Sequence, residues 1–231
     1  MTSRVPGLPV RGISQARLAD LFDAPGCPLC RHAERSTARF LESMLWERVS
    51  DVGFQRELVE AGGFCGRHTR QVIATDRRRM GGTLGSAILF GALLGARIRA
   101  LDEARRHRGR TRVKRIAATR ATPQCPACAQ GEVAVSGAID GFLEVAAEAA
   151  WANALGSAAF CVDHLGRLLV AGASSDAWRP IEDRQVARLR ELHGRLADFV
   201  HHSSQDRRHL RTDNEERAAD EATDLLAGEG L

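Results

Sequence analysis

A chain of 231 residues that is 44% apolar, 27% charged and 5% aromatic has the composition of a globular protein and the length to bury a sizeable core. Its 33 basic and 29 acidic residues nearly cancel to +4, and Lys114 is the only lysine. That balance excludes a basic whole-chain nucleic-acid binder and an acidic disordered chain.

Residues 1–20 read as an N-terminal extension. Met1 to Gly7 leads into Gly12 and charged residues rather than the apolar stretch of a signal peptide, so the expected location is the cytoplasm. Residues 21–76 form a first repeat. Ala33, Thr37, Phe40, Leu41, Met44, Leu45, Arg48 and Val49 recur at spacings of three and four, which predicts an outward helix with one buried face. A turn at Ser50-Asp51-Val52-Gly53 and a return helix from Phe54 to Ala61, ended by Gly62-Gly63, complete a hairpin. An outward rise of about 27 Å against a return of about 24 Å brings Cys65 back beside Cys30 in this reading.

Residues 77–122 hold a helix from Thr83 to His107 and then a basic connector. The uncharged run from Met80 to Ala96, 17 residues containing five glycines, is marginal for a membrane span and reads as a buried helix with close-packing glycines. The segment carries 13 basic and 2 acidic residues, so positive charge is segregated here. Arg105, Arg106, Arg108, Arg110, Arg112, Lys114 and Arg115 are the candidate nucleic-acid contacts, against a solvated connector leaning on the acidic body. No aromatic residue interleaves them to stack a base.

Residues 123–175 form the second repeat. Val133, Val135, Ile139, Phe142, Leu143 and Ala146 mark its outward helix, and the alanine-rich stretch beyond hides a turn placed near Ala147 to Asn153. In residues 176–231, Val186, Leu189, Leu192, Leu196 and Phe199 predict an amphipathic helix over Asp183 to Val200. Asp213 to Leu226 reads as a short helix anchored by Leu225 and Leu226 or as a detached tail.

All six cysteines fall into two sets of one layout. Cys27-Pro28-Leu29-Cys30 is followed by Phe64-Cys65-Gly66-Arg67-His68, and Cys125-Pro126-Ala127-Cys128 by Phe160-Cys161-Val162-Asp163-His164. Three thiolates and an imidazole suit a tetrahedral zinc ion, and four protein ligands describe a closed, structural site. A helix opening at each motif would favour the thiolate. Cys27, Cys30, Cys65 and His68 are thus expected to hold one zinc, and Cys125, Cys128, Cys161 and His164 a second, each closing its own half. Buried thiols, disulfides, a redox CxxC and an iron centre are the weaker alternatives. His32 faces Gln130 in the repeat, and His107, His193, His201, His202 and His209 have no repeated partner.

The twin CPxC and CxxH motifs, Phe40-Leu41-Glu42-Ser43-Met44-Leu45 and the central Gly-Thr-Leu-Gly-Ser-Ala-Ile-Leu at 82–89 resemble a bacterial family of unknown function over residues 20–226. The resemblance implies the same eight metal ligands and brings no activity with it.

The expected fold is all-α, with two zinc-clamped helical hairpin repeats plus linking and C-terminal helices. The expected function is a zinc-stabilised module that binds another protein, with no membrane partner. The alternatives are a nucleic-acid-binding regulator and a thiol or metal enzyme or redox sensor. Glu47, Asp51 and Asp163 lie near predicted turns or ligands, but no nucleophile-and-base pair or phosphate-cradling loop is recognisable.

Overall fold

The computed structural model describes residues 8–118 and 124–228. The expected all-α class holds, and no strand occurs among the described residues. Helices α1 (Ile13–Ala19), α2 (Pro28–Ser43), α3 (Val52–Glu60), α4 (Gly66–Thr75), α5 (Leu84–Arg105) and α6 (Gly109–Ala118) are followed by α7 (Pro126–Val145), α8 (Ala149–Ser157), α9 (Val162–Gly172), α10 (Arg179–His201), α11 (Asp213–Glu216) and α12 (Ala218–Ala227).

The chain divides into two compact units that do not follow the two consecutive repeats. A terminal unit takes Met1–Glu34 and Ala134–Leu231, and a central unit takes Arg35–Val133. The boundaries fall inside α2 and α7, so each unit is built from parts of both repeats.

In the central unit, Leu41, Met44, Leu45, Phe54, Leu58, Phe64, Val72 and Leu89 form the core. Asp51 caps α3 by accepting the Gly53 N–H at 2.8 Å. The helix ends where Gly62 and Gly63 adopt φ of 81° and 95°. There the Gly62 N–H donates to Val59 O and the Gly63 N–H to Leu58 O, a Schellman closure that needs glycine. Asp76 is buried, and its carboxylate accepts the Ser86 N–H at 2.6 Å, satisfying a donor in the first turn of α5.

Two sequence expectations fail here. The basic connector is helical: α6 turns back against α5, and Glu103 gathers Arg106, His107 and Arg115 at 3.2, 3.3 and 3.9 Å. Residues 119–122 of the expected connector lie outside the described residues. Helix α5 is not a buried helix either. Leu89 and Ser86 are buried, whereas Leu84, Leu94, Ile98 and Leu101 are exposed. By length and composition alone it is apolar enough to cross a membrane.

The terminal unit packs Leu18, Leu21, Phe22, Val135, Ile139, Phe142, Trp151, Phe160, Leu168 and Ile181 together. Phe142 meets Phe22 and Phe160 at centroid distances of 5.6 and 6.3 Å. The segment read as an extension is part of this unit, with Leu18 in the core and Pro9 O accepting the Trp151 indole N–H. The turn after α7 is short, over 146–148, so Asn153 lies inside α8; alanine favours helix, and no polar residue marked the break. Gln185, buried on α10, donates to the carbonyls of Leu155 and Ala158 at the end of α8. The C-terminal segment is docked, with Leu192 of α10 against Ala218 and Leu225 of α12.

Candidate metal centres

All four motifs sit at helix N-termini, for a reason legible in the backbone. Cys27, Cys65, Cys125 and Cys161 each accept the first helical N–H, from Arg31, Thr69, Ala129 and Leu165, at 3.2, 2.8, 3.0 and 2.8 Å. Pro28 and Pro126 occupy the first helical position, where a missing N–H costs nothing. The second residue of each motif, Cys30, His68, Cys128 or His164, lies three positions on. That is the spacing at which capping-box side chains meet.

The structure assembles the eight residues crosswise. Cys27 and Cys30 join Cys161 and His164, and Cys125 and Cys128 join Cys65 and His68, with the ligand atoms of each group within 4.8 Å of one another. The expectation that each half closes on itself is therefore corrected. The helical path from Pro28 through the wide turn ending at Arg48 has 16 plus 5 residues, a rise of about 31 Å. Helix α3 has nine residues and returns about 13 Å, and the five residues from Ala61 to Cys65 add up to about 16 Å where extended, so path length alone does not decide the pairing. The second repeat has the same layout, with 20 residues in α7 and nine in α8. In each repeat the CxxH lies instead beside the other repeat's CPxC.

In the terminal-unit group, His164 Nδ1 lies 3.5, 3.2 and 3.1 Å from the sulfurs of Cys27, Cys30 and Cys161, and Cys30 Sγ is 3.6 Å from Cys161 Sγ. In the central-unit group, His68 Nδ1 lies 3.3, 3.2 and 3.3 Å from Cys65, Cys125 and Cys128, with Cys65 Sγ 3.8 Å from Cys128 Sγ. A tetrahedral ion with metal–sulfur bonds of about 2.3 Å and metal–nitrogen bonds of about 2.0 Å sets edges of about 3.8 Å between sulfurs and about 3.5 Å between sulfur and nitrogen. Both groups match these edges to within a few tenths of an ångström, so each can hold one metal ion.

The two groups differ in surroundings. All four residues of the terminal group are buried, whereas Cys128 is exposed and Cys65 half-buried. Hydrogen bonds from Cys161 and Cys30 hold the Cys27 thiol far below its usual value, while Cys161 and Cys27 push Cys30 far above it. Burial, then Cys125, pushes Cys128 up to about 12. Burial and then the Arg67 guanidinium lower the His68 pKa. For His164 burial also acts downward, but the Cys161 and Cys27 sulfurs outweigh it and raise the value to about 9. Without an ion the clustered thiols cannot all ionise, because like charges at this distance repel. A cation removes that conflict.

None of the other sequence candidates joins either group. Asp51 is the α3 cap, and exposed Glu47 accepts the Ser43 hydroxyl. Asp163 lines an open groove with Ser136, Asp140 and Arg167. His107 and His202 face Glu103 and Glu215. Comparison with protein families, curated proteins and solved structures gives no match.

Proposed function

We propose that each Cys3His group binds one zinc ion as a closed, structural site, and that the chain is a zinc-stapled helical scaffold that engages another macromolecule, with a protein as the favoured partner, in the reducing cytoplasm. The observation that carries the reading is the tetrahedral edge lengths of two groups, each made by two helix N-termini. Two helix dipoles aimed at one thiolate cluster lower the cost of its negative charge, and zinc offsets the rest. Four protein ligands leave no position for a substrate or an activated water, which separates this reading from a metal hydrolase.

Each ion also closes a long loop. Cys30 and Cys161 are 131 residues apart, and His68 and Cys125 are 57 apart, so the central loop is nested inside the terminal one. Structural zinc in finger peptides contributes about 10–16 kcal/mol of apparent folding free energy at neutral pH, comparable to the stability of a whole domain.

A second reading rests on α6, which has no buried residue and exposes Arg110, Arg112 and Lys114. Such a helix suits phosphate contacts, and a steep fall of nucleic-acid affinity with salt would identify it. Elemental analysis of protein purified without chelator tests the leading reading. Two zinc ions per chain are expected. Iron, or less than half an equivalent of any metal, contradicts it.

A further inference from the structure

We infer that the exposed face of α4 is a docking surface for double-stranded DNA, with the helix seated in the major groove. The inference rests on the second reading above, that this chain meets phosphates, and goes beyond it by naming a different helix as the one that enters the groove. Charge that nearly cancels over the whole chain is divided between the two units. The central unit holds 19 basic and 9 acidic residues, and the terminal unit 14 and 20. A polyanion is therefore drawn to one unit and repelled by the other.

Helix α4 and the wide turn Asp76–Met80 that continues it bury one side, with His68, Val72, Thr75 and Asp76. The other side exposes Arg67, Arg70, Gln71, Ala74, Arg77 and Arg78, which recur at the spacing of a single helix face. No acidic side chain interrupts that face, since Asp76 is buried and holds the Ser86 N–H. The arginines of α2, α3, α5 and α10 instead alternate with exposed acids such as Glu34, Glu57, Asp102 and Asp183, as on a solvated face. Arg79 is paired with Glu42, but Arg70, Arg77 and Arg78 have no ion-pair partner among the described residues.

Shape and side-chain chemistry select the partner. A helix about 11 Å across fits the major groove of B-form DNA, about 12 Å wide. From Arg67 to Arg78 the stripe rises about 16 Å, so its two ends reach phosphates on the edges of the groove while Arg70 and Gln71 face the base edges between them. Arginine and glutamine pair bidentately with guanine and adenine, and the small Ala74 lets the helix backbone come close. An RNA duplex has a major groove too deep and narrow for this, and no aromatic side chain lies on the face to stack an unpaired base. Cys65 and His68 of the central metal group lie just before Arg70, so a bound metal fixes the start of the stripe and reduces the ordering cost of docking.

Fluorescence anisotropy of the metal-loaded full chain with a labelled, mixed-sequence DNA duplex of about 20 base pairs tests the inference. Binding should be micromolar or tighter at about 50 mM salt and should weaken steeply as salt rises. Ala74→Glu should weaken it at least about tenfold. Arg77→Gln combined with Arg78→Gln should lower the slope of log affinity on log salt by about two, because each lost phosphate contact removes about 0.9. Both variants should keep wild-type helicity and metal content, since all three positions are exposed. An RNA duplex of the same sequence should bind at least about tenfold more weakly. Variants of α4 that bind DNA like the wild type, equal affinity for the RNA duplex, or tighter binding of polyglutamate, the probe for an acidic protein partner, would overturn the inference. Should Arg110→Gln with Arg112→Gln abolish binding while the α4 variants do not, the inference falls and the α6 reading stands. No DNA binding at low salt removes both and leaves the zinc reading, which metal analysis tests separately.

Discussion

The sulfur of Cys30 lies 3.6 Å from the sulfur of Cys161, 131 residues further along the chain. This contact ties the opening of α2 to the opening of α9 and makes the terminal unit one body despite the 99 residues of Arg35–Val133 inserted in it. The metal groups staple units, not repeats.

Removing one ligand should therefore damage a unit that contains parts of both repeats. For His164→Ala we expect a loss of stability on the order of several kcal/mol and faster amide hydrogen exchange in residues 8–34 together with 134–228. Residues 35–118 should keep their protection. His68→Ala should produce the reverse map. Exchange confined to one repeat after either substitution would contradict the crosswise arrangement.

The central-unit group should surrender its metal first. Cys128 is exposed and Cys65 half-buried, whereas every ligand of the terminal group is buried. Under a limiting chelator or mild oxidant, the first equivalent of metal released should accompany alkylation of Cys65, Cys125 and Cys128. Mass spectrometry of alkylated peptides reads this directly. Earlier labelling of Cys27, Cys30 or Cys161 would show that burial does not set the order.

Acid should release both ions, because protons compete for three thiolates and one imidazole at each site. The sites differ through histidine. In the metal-free protein His164 is raised to about 9, so below that pH a proton must leave its ring before metal binds, and the share of the pH dependence that comes from this histidine runs up to about 9. The His68 pKa is lowered, so its ring is already neutral at pH 7 and adds no such dependence there. Titration calorimetry in buffers of different ionisation enthalpy should find about one more proton released by the terminal site at neutral pH. Equal proton release would reject the assignment.

The Gly172→Ala substitution should be costly, since a methyl there would lie 2.5 Å from Trp178 Cγ in the packed terminal unit. Overpacking of this kind costs about 1–3 kcal/mol. Thermal unfolding should show a clear fall in Tm, while metal stoichiometry stays at two. An unchanged Tm would mean that Trp178 repacks freely.

The helices around the motifs were legible because local rules set them. Proline after cysteine, Asp51 as a cap and Gly62-Gly63 as a stop act within a few residues, and the structure places α2 and α3 close to where those signals put them. The eight residues of the two groups were legible through the repeat, but their partnership was not. Both pairings use the same residues and spacings, and the choice between them rests on long-range packing of the helices rather than on any local signal. The exposed face of α5 was misread as buried because a helix apolar on every side resembles a core helix until its neighbours are placed.

Cadmium-113 substitution with proton–cadmium correlation spectroscopy is the most direct test of the crosswise pairing. One cadmium resonance should correlate with the β-protons of Cys27, Cys30 and Cys161 and the ring of His164, and the other with Cys65, Cys125, Cys128 and His68. A single resonance correlating with Cys27, Cys30, Cys65 and His68 would contradict the account.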